Sequence, residues 1–141
     1  MTIGRIIEGR DAVLTCQVSM TVREAASILA EKRIGALPVL DGDKLAGMFS
    51  ERDVIYRLHE LGPDVLQKPV REVMTAPAVT VTAEMSVLAA LALITRRRIR
   101  HLPVVEGDRM IGLVSIGDLV KYRIEKVESE AAAMREYIQM A

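Results

Sequence analysis

Apolar residues along this chain follow two rhythms, one helical and one extended, and the whole alternation occurs twice. Val22, Ala25, Ala26 and Leu29 fall at i, i+3, i+4 and i+7, and so do Val87, Ala90, Leu91 and Ile94. That spacing puts each set on one face of a helix. Each stripe begins behind a hydroxyl residue. Thr21-Val22-Arg23-Glu24 has the form of a capping box, with Thr21 as N-cap and Glu24 reaching back. Ser86 opens the second helix, where Ala89 supplies no returning carboxylate. Apolar runs from Leu37 to Leu40 and from Leu45 to Phe49 flank Asp41-Gly42-Asp43, which predicts a hairpin. Pro38 stands near the start of the first of these strands, where a missing N–H is tolerated. A short β-like run, Ala12 to Thr15 or Ala78 to Val81, precedes each helix, and another helix is predicted from Glu51 onward. The order is β-α-β-β-α, twice. Ile124 to Met140 contains no Pro or Gly, and predicts either an extension of the last helix or a separate one.

The repetition extends to residue identity. Ile34-Gly35-Ala36-Leu37-Pro38-Val39 returns as Ile99-Arg100-His101-Leu102-Pro103-Val104, at an offset of 65. The same offset carries Met20 onto Met85, Gly42-Asp43 onto Gly107-Asp108, and Gly47 onto Gly112. It also carries Ser50 onto Ser115 and Asp53 onto Asp118. Ahead of each unit, Ile3, Ile6 and Ile7 match Val70, Val73 and Met74 at an offset of 67, so the loop after Ile7 is two residues longer than its counterpart. This is a duplication. The turn-rich Leu61-Gly62-Pro63-Asp64 marks the boundary. The expected organisation is a first repeat with its leading segment over 1–62, a second repeat over 63–123, and a helical tail over 124–141.

Composition narrows the class. Of 141 residues, 50% are hydrophobic but only 3% aromatic, so the core must be aliphatic. Nineteen Lys and Arg balance nineteen Asp and Glu, which gives no electrostatic reason to expect nucleic acid or an acidic membrane as partner. The single cysteine, Cys16, forms no internal disulfide and belongs to no zinc-like cluster, which points to a reducing, cytoplasmic compartment. No signal-peptide pattern opens the chain, and no apolar run approaches a membrane span.

Candidate chemistry lies at the strand-to-helix junctions. Ser50 with Asp53, and Ser115 with Asp118, read equally well in two ways. They are helix caps, with an acid in the first turn facing the helix dipole. They are also the makings of a nucleotide site: a helix N-terminus offers N–H groups to phosphate, and a carboxylate accepts from both hydroxyls of a ribose. Arg96-Arg97-Arg98 with Arg100 is a solvated helix end, a second phosphate hook, or a surface for an acidic partner. Cys16 reads as a small buried hydrophobe and His59 as a surface residue. No nucleophile–base set, paired acids or phosphate-binding Gly loop is present, so the sequence predicts no enzyme, no catalytic cofactor and no metal site.

These residues resemble the CBS domain, named after cystathionine β-synthase. Leu-Pro-Val, then an acidic-Gly-Asp turn, then Gly47-Met48-Phe49-Ser50-Glu51-Arg52-Asp53 and Gly112-Leu113-Val114-Ser115-Ile116-Gly117-Asp118 carry the likeness from about Ile3 to Val120. The tail is similar to that of bacterial stand-alone CBS pairs. The resemblance implies a mixed α/β (α+β) fold, with two CBS units packed sheet to sheet about a pseudo-twofold axis and a C-terminal helix. It implies two clefts that bind adenosine-containing ligands such as AMP, ATP, NAD or S-adenosylmethionine, and a homodimer formed through helices. The protein would then be a regulatory nucleotide sensor acting on an unknown target, or, if no ligand is used, a structural dimerisation module. By the same resemblance, the Asp118 cleft would be the principal site. It would use Ser115, Gly35, Ala36, and Arg100 or His101, with Leu14 and Thr15 bordering the adenine. The Asp53 cleft would use Ser50, Arg52, Ala78 and Val79.

Overall fold

A computed structural model describes residues 1–140; Ala141, the last residue of the expected tail, lies outside them. The elements run α1 (Ile3–Ile7), β1 (Cys16–Gln17), α2 (Val22–Lys32), β2 (Ala36–Asp41), β3 (Lys44–Ser50), α3 (Glu51–Leu61), α4 (Val87–Arg97), β4 (His101–Glu106), β5 (Arg109–Ser115) and α5 (Ile116–Met140). Two 3-10 turns, Pro63–Gln67 and Val70–Glu72, join the halves.

The four longer helices, α2 to α5, each begin behind a hydroxyl cap. Thr21 and Glu24 form the full capping box of α2, with the Glu24 N–H donating to Thr21 Oγ1 at 3.1 Å. Ser86 caps α4 by accepting from the Ala89 N–H alone, as Ala89 dictates. Both helices end on a left-handed residue that is not glycine, Arg33 (φ 52°) and Arg98 (φ 55°), again 65 apart. Both hairpins turn through two residues with positive φ only at the glycine, Gly42 and Gly107. That is the pattern of a type II′ turn.

The sheet order is β1-β2-β3-β5-β4. The two units meet through it, β3 running antiparallel to β5 with Lys44 opposite Arg109. The leading strands are shorter than the apolar runs predict, and the first lies further along. β1 is only Cys16–Gln17, pairing parallel to Val39 and Leu40, and its repeat is a single bridge from Val81 to Val104. The reason is burial: Cys16 and Val81 face the cores, whereas Ala12, Val13 and Leu14 line a cleft instead of pairing. Pro103 has no N–H to give but accepts from the Val81 N–H at 3.0 Å, which keeps the bridge intact.

There are two cores, aliphatic but for Phe49 in the first, and each is completed by the other unit's leading segment. Val22, Leu29, Leu37, Val39 and Phe49 pack with Val65, Val70 and Val73, from the stretch that introduces the second repeat. Val87, Ile94, Leu102, Val104 and Leu119 pack with Ile3 and Ile6 from the N-terminus. The exchange depends on two glycines. A Cβ on Gly112 would lie 2.9 Å from Ile7 Cγ2, and one on Gly47 would lie 2.6 Å from the Thr75 carbonyl oxygen. No polar or charged residue is buried among those described.

Candidate functional site

Two clefts flank the line where the repeats meet, one at the start of α5 and one at the start of α3. The first has a volume of about 550 Å³ and the second about 410 Å³. Each combines a helix N-terminus from one repeat with backbone from the other.

At the first cleft, Ser115 and Asp118 cap α5 reciprocally. The Ser115 N–H donates to Asp118 Oδ2 at 2.9 Å, and the Asp118 N–H donates to Ser115 Oγ at 3.1 Å. Opposite them lie Ile34, Gly35 and Ala36 of the first repeat, with Leu14 from the loop before β1. At the second cleft, the Ser50 N–H donates to Asp53 Oδ2 at 2.8 Å, and Ala78, Val79 and Ile99-Arg100-His101 of the second repeat face it. Both serine–aspartate pairs are therefore real helix caps. Capping leaves each carboxylate at the cleft mouth, so the two readings of these residues are compatible.

Most residues expected at the clefts line them. Gly35, Ala36, Leu14, His101, Ser115 and Asp118 line the first; Ser50, Arg52, Asp53, Ala78 and Val79 line the second. One does not fit. Thr15 lines neither cleft; it stands between Leu14, the last residue to wall the first cleft, and Cys16, where β1 begins. Arg100 lines the Asp53 cleft and not the Asp118 cleft. Of the two alternatives at the Asp118 cleft, His101 is the one that lines it, and the pseudo-twofold explains why: as Gly35 stands opposite Asp118, its counterpart Arg100 must stand opposite Asp53. Of the arginine run, Arg98 also reaches the Asp53 cleft, while Arg96 and Arg97 remain in the last turn of α4.

The sequence reading missed Arg10. It lies in the loop that is two residues longer than its counterpart, and it grips Asp118. Arg10 Nη2 is 3.0 Å from Oδ1 and Nη1 is 3.2 Å from Oδ2. Nη1 also lies 3.4 Å from the Leu113 carbonyl oxygen. The pair is partly exposed, 42% and 30% for the two side chains, so it is worth about 1 kcal/mol or less. The place of Arg10 at Asp53 is taken by Thr75, whose hydroxyl donates to Oδ1 at 3.0 Å. The long loop was the one sequence signal that could have drawn attention to Arg10.

The electrostatics differ accordingly. Burial pushes the Asp118 carboxyl up, but hydrogen bonds from Arg10 and Ser115 and the Arg10 charge outweigh it, and the group stays below the usual carboxylate range. His101 lies where the clefts adjoin and lines both. Burial holds its imidazole below the ordinary value, and Arg100 adds to that; the Asp118 and Glu51 charges oppose it only in part. Burial therefore favours the neutral form of His101. Cys16 is buried and its thiol is pushed up to about 11, which makes it an inert core residue. Among the described residues no cluster of His, Cys, Asp and Glu could hold a metal, and no helix is long and apolar enough to cross a membrane.

Comparison with known proteins agrees with this geometry. Residues 4–60 and 70–125 each match the CBS domain. The chain is 35% identical over 120 residues to the CBS domain-containing protein YhcV of Bacillus subtilis, covering 85% of this chain and 83% of that one. It is 36% identical over 131 residues to the mitochondrial CBS domain-containing protein CBSX3 of Arabidopsis thaliana, covering 89% of this chain and 64% of the relative. Among solved structures, a CBS-domain containing protein from Agrobacterium tumefaciens superposes with a TM-score of 0.80 at 34% identity, over 86% of this chain and 92% of that one. The structure of CBSX2 in complex with AMP superposes with a TM-score of 0.76 at 27% identity, over 88% of this chain and 96% of that one. Two matched repeats spanning most of the chain, with relatives and structures that agree along it, place this protein in the CBS-domain family, as a tandem pair.

Proposed function

We propose that this CBS pair is a regulatory module that binds an adenine nucleotide (AMP, ATP or NAD) in the clefts between its repeats and catalyses nothing itself. One observation carries the reading: each cleft sets a capped helix N-terminus and its carboxylate against backbone contributed by the other repeat. The helix end suits a phosphate and the carboxylate suits a ribose diol. Gly35 and Ala36 leave room for a flat base close to the backbone. The AMP complex of CBSX2 supports the same ligand class. A ligand held by both repeats ties them together. It shifts the population of partner-competent states by its differential affinity for them.

The module acts as a homodimer. On α3, no residue is buried, and Ile55, Tyr56, Leu58 and Leu61 are exposed. On α5, Ile116, Val120, Ile124, Val127, Met134 and Ile138 are exposed at spacings of three, four and seven. Apolar helical stripes of this kind call for a partner helix.

Calorimetry of the purified protein with AMP, ATP and NAD tests the reading. At least one should bind, and Asp118→Asn, which keeps an acceptor for the Ser115 N–H, should weaken binding at its cleft about tenfold. Failure of all three to bind, with no nucleotide carried through purification, leaves the module as a dimerisation device only.

A further inference from the structure

The two clefts are built from the same parts, yet their carboxylates are held differently. Asp53 has both oxygens engaged, but by neutral donors alone: the Thr75 hydroxyl on Oδ1, and the Ser50 N–H and hydroxyl on Oδ2. Asp118 has both oxygens engaged by a guanidinium, with the Ser115 N–H on one of them as well. Bidentate pairing of this kind occupies the edge of the carboxylate that a ribose diol would need. A ligand that seats its ribose on Asp118 must first displace Arg10.

The displaced guanidinium then needs an anion. Asp11 is the other acid lining that cleft, and it lies one residue from Arg10. Arg10 is also the one arginine or lysine lining the Asp118 cleft, and burial there disfavours charge on His101. A phosphate arriving there meets no other arginine or lysine among the lining residues. The Asp53 cleft is different: Arg52, Arg98 and Arg100 line it, and no ion pair holds any of them among the described residues.

We propose that Arg10 is the specificity-determining residue of the Asp118 cleft, a guanidinium that blocks the carboxylate against uncharged ribosides and is released to ligands that bring a phosphate of their own. The exchange is one salt bridge for another: Arg10 leaves Asp118 for the phosphate, and Asp118 takes the diol. The loop from Glu8 to Thr15, longer by two residues than its counterpart, gives Arg10 this reach. No such selection operates at Asp53, where a hydroxyl yields to another hydroxyl at little cost. The inference rests on the nucleotide reading above and adds to it a charge requirement confined to one cleft.

Site-resolved titration tests it. Amide signals of Ser115 and Asp118 report one cleft, and those of Ser50 and Asp53 the other, in nitrogen–proton correlation spectra with AMP and with adenosine as probes. In the wild type, AMP should shift both sets, and adenosine only Ser50 and Asp53. In Arg10→Gln, adenosine should also shift Ser115 and Asp118, and the preference for AMP there should fall about tenfold. Arg10→Lys should keep the preference for AMP but let adenosine in, since a lysine cannot cover both oxygens. An unchanged preference in Arg10→Gln, or wild-type Ser115 responding to adenosine as to AMP, overturns the proposal. So does a Ser115 signal silent to both probes in wild type and variant while Ser50 responds. Silence of both clefts to both probes overturns the proposal, and if ATP and NAD also fail to bind it removes the nucleotide reading with it.

Discussion

At the residue scale, His101 is the group whose charge state the fold controls. Its side chain lies between the clefts, where loss of water disfavours the imidazolium and the nearby Asp118 and Glu51 carboxylates restore only part of it. Its folded pKa is thus below the ordinary 6.5. Above 6.5 the imidazole is neutral in folded and unfolded chain alike, and His101 adds no pH dependence. As pH falls below that value the unfolded chain takes up its proton first, so stability is lost until the folded pKa is reached. Asp118 acts lower down. Its depressed pKa gives stability that is present above the ordinary 3.8 and is lost as pH falls through the folded value. A proton NMR titration of the imidazole should place the His101 midpoint below 6.5, and Asp118→Asn should lower it further by removing a favourable charge. A wild-type midpoint at or above 6.5 would contradict the burial argument.

At the scale of elements, glycines report how the repeats interlock. Gly47 and Gly112 let the leading segment of one unit cross the hairpin of the other, and the neighbour of Gly47 is backbone, which cannot swing aside. Gly47→Ala should destabilise the fold by about 1–3 kcal/mol through overpacking. Gly117 is the contrasting case. It lies in the first turn of α5, and the nearest atom to its Cβ position, Ser115 Oγ, is at an ordinary 3.6 Å. Gly117→Ala should therefore stabilise by about 0.5 kcal/mol through reduced backbone entropy in the unfolded chain. Denaturant unfolding of the two variants should give changes of opposite sign; the same sign for both would mean that the crossing at Gly47 relaxes. The short β1 belongs to this scale too. Ala12, Val13 and Leu14 have strand-like composition, but the chain uses them to wall a cleft, and pairing begins only at Cys16.

At the scale of the molecule, the helices that close each repeat leave their apolar faces uncovered. Ile55 is 62% exposed on α3 and Ile124 is 51% exposed on α5. Sedimentation should find a dimer for the wild type, and Ile55→Asp and Ile124→Asp should each shift it towards monomer without loss of fold. Variants that remain as dimeric as the wild type would move the interface elsewhere.

Much of this architecture was legible in the chain. The 65-residue offset, the hydroxyl caps, the hairpin glycines and the aliphatic stripes are local or periodic, and they fixed the helices, the hairpins and the paired serine–aspartate junctions. Those features depend on neighbours within a few residues, so spacing alone reveals them. Which residues share a cleft depends instead on how the repeats face each other. Only the folded molecule decided that Arg100 belongs with Asp53, that each core borrows the other unit's leading segment, and that Arg10 reaches Asp118 across 108 positions. The physical reason is the pseudo-twofold packing. It brings Arg10 to Asp118 by closing the chain on itself, and no periodicity along the sequence records that closure.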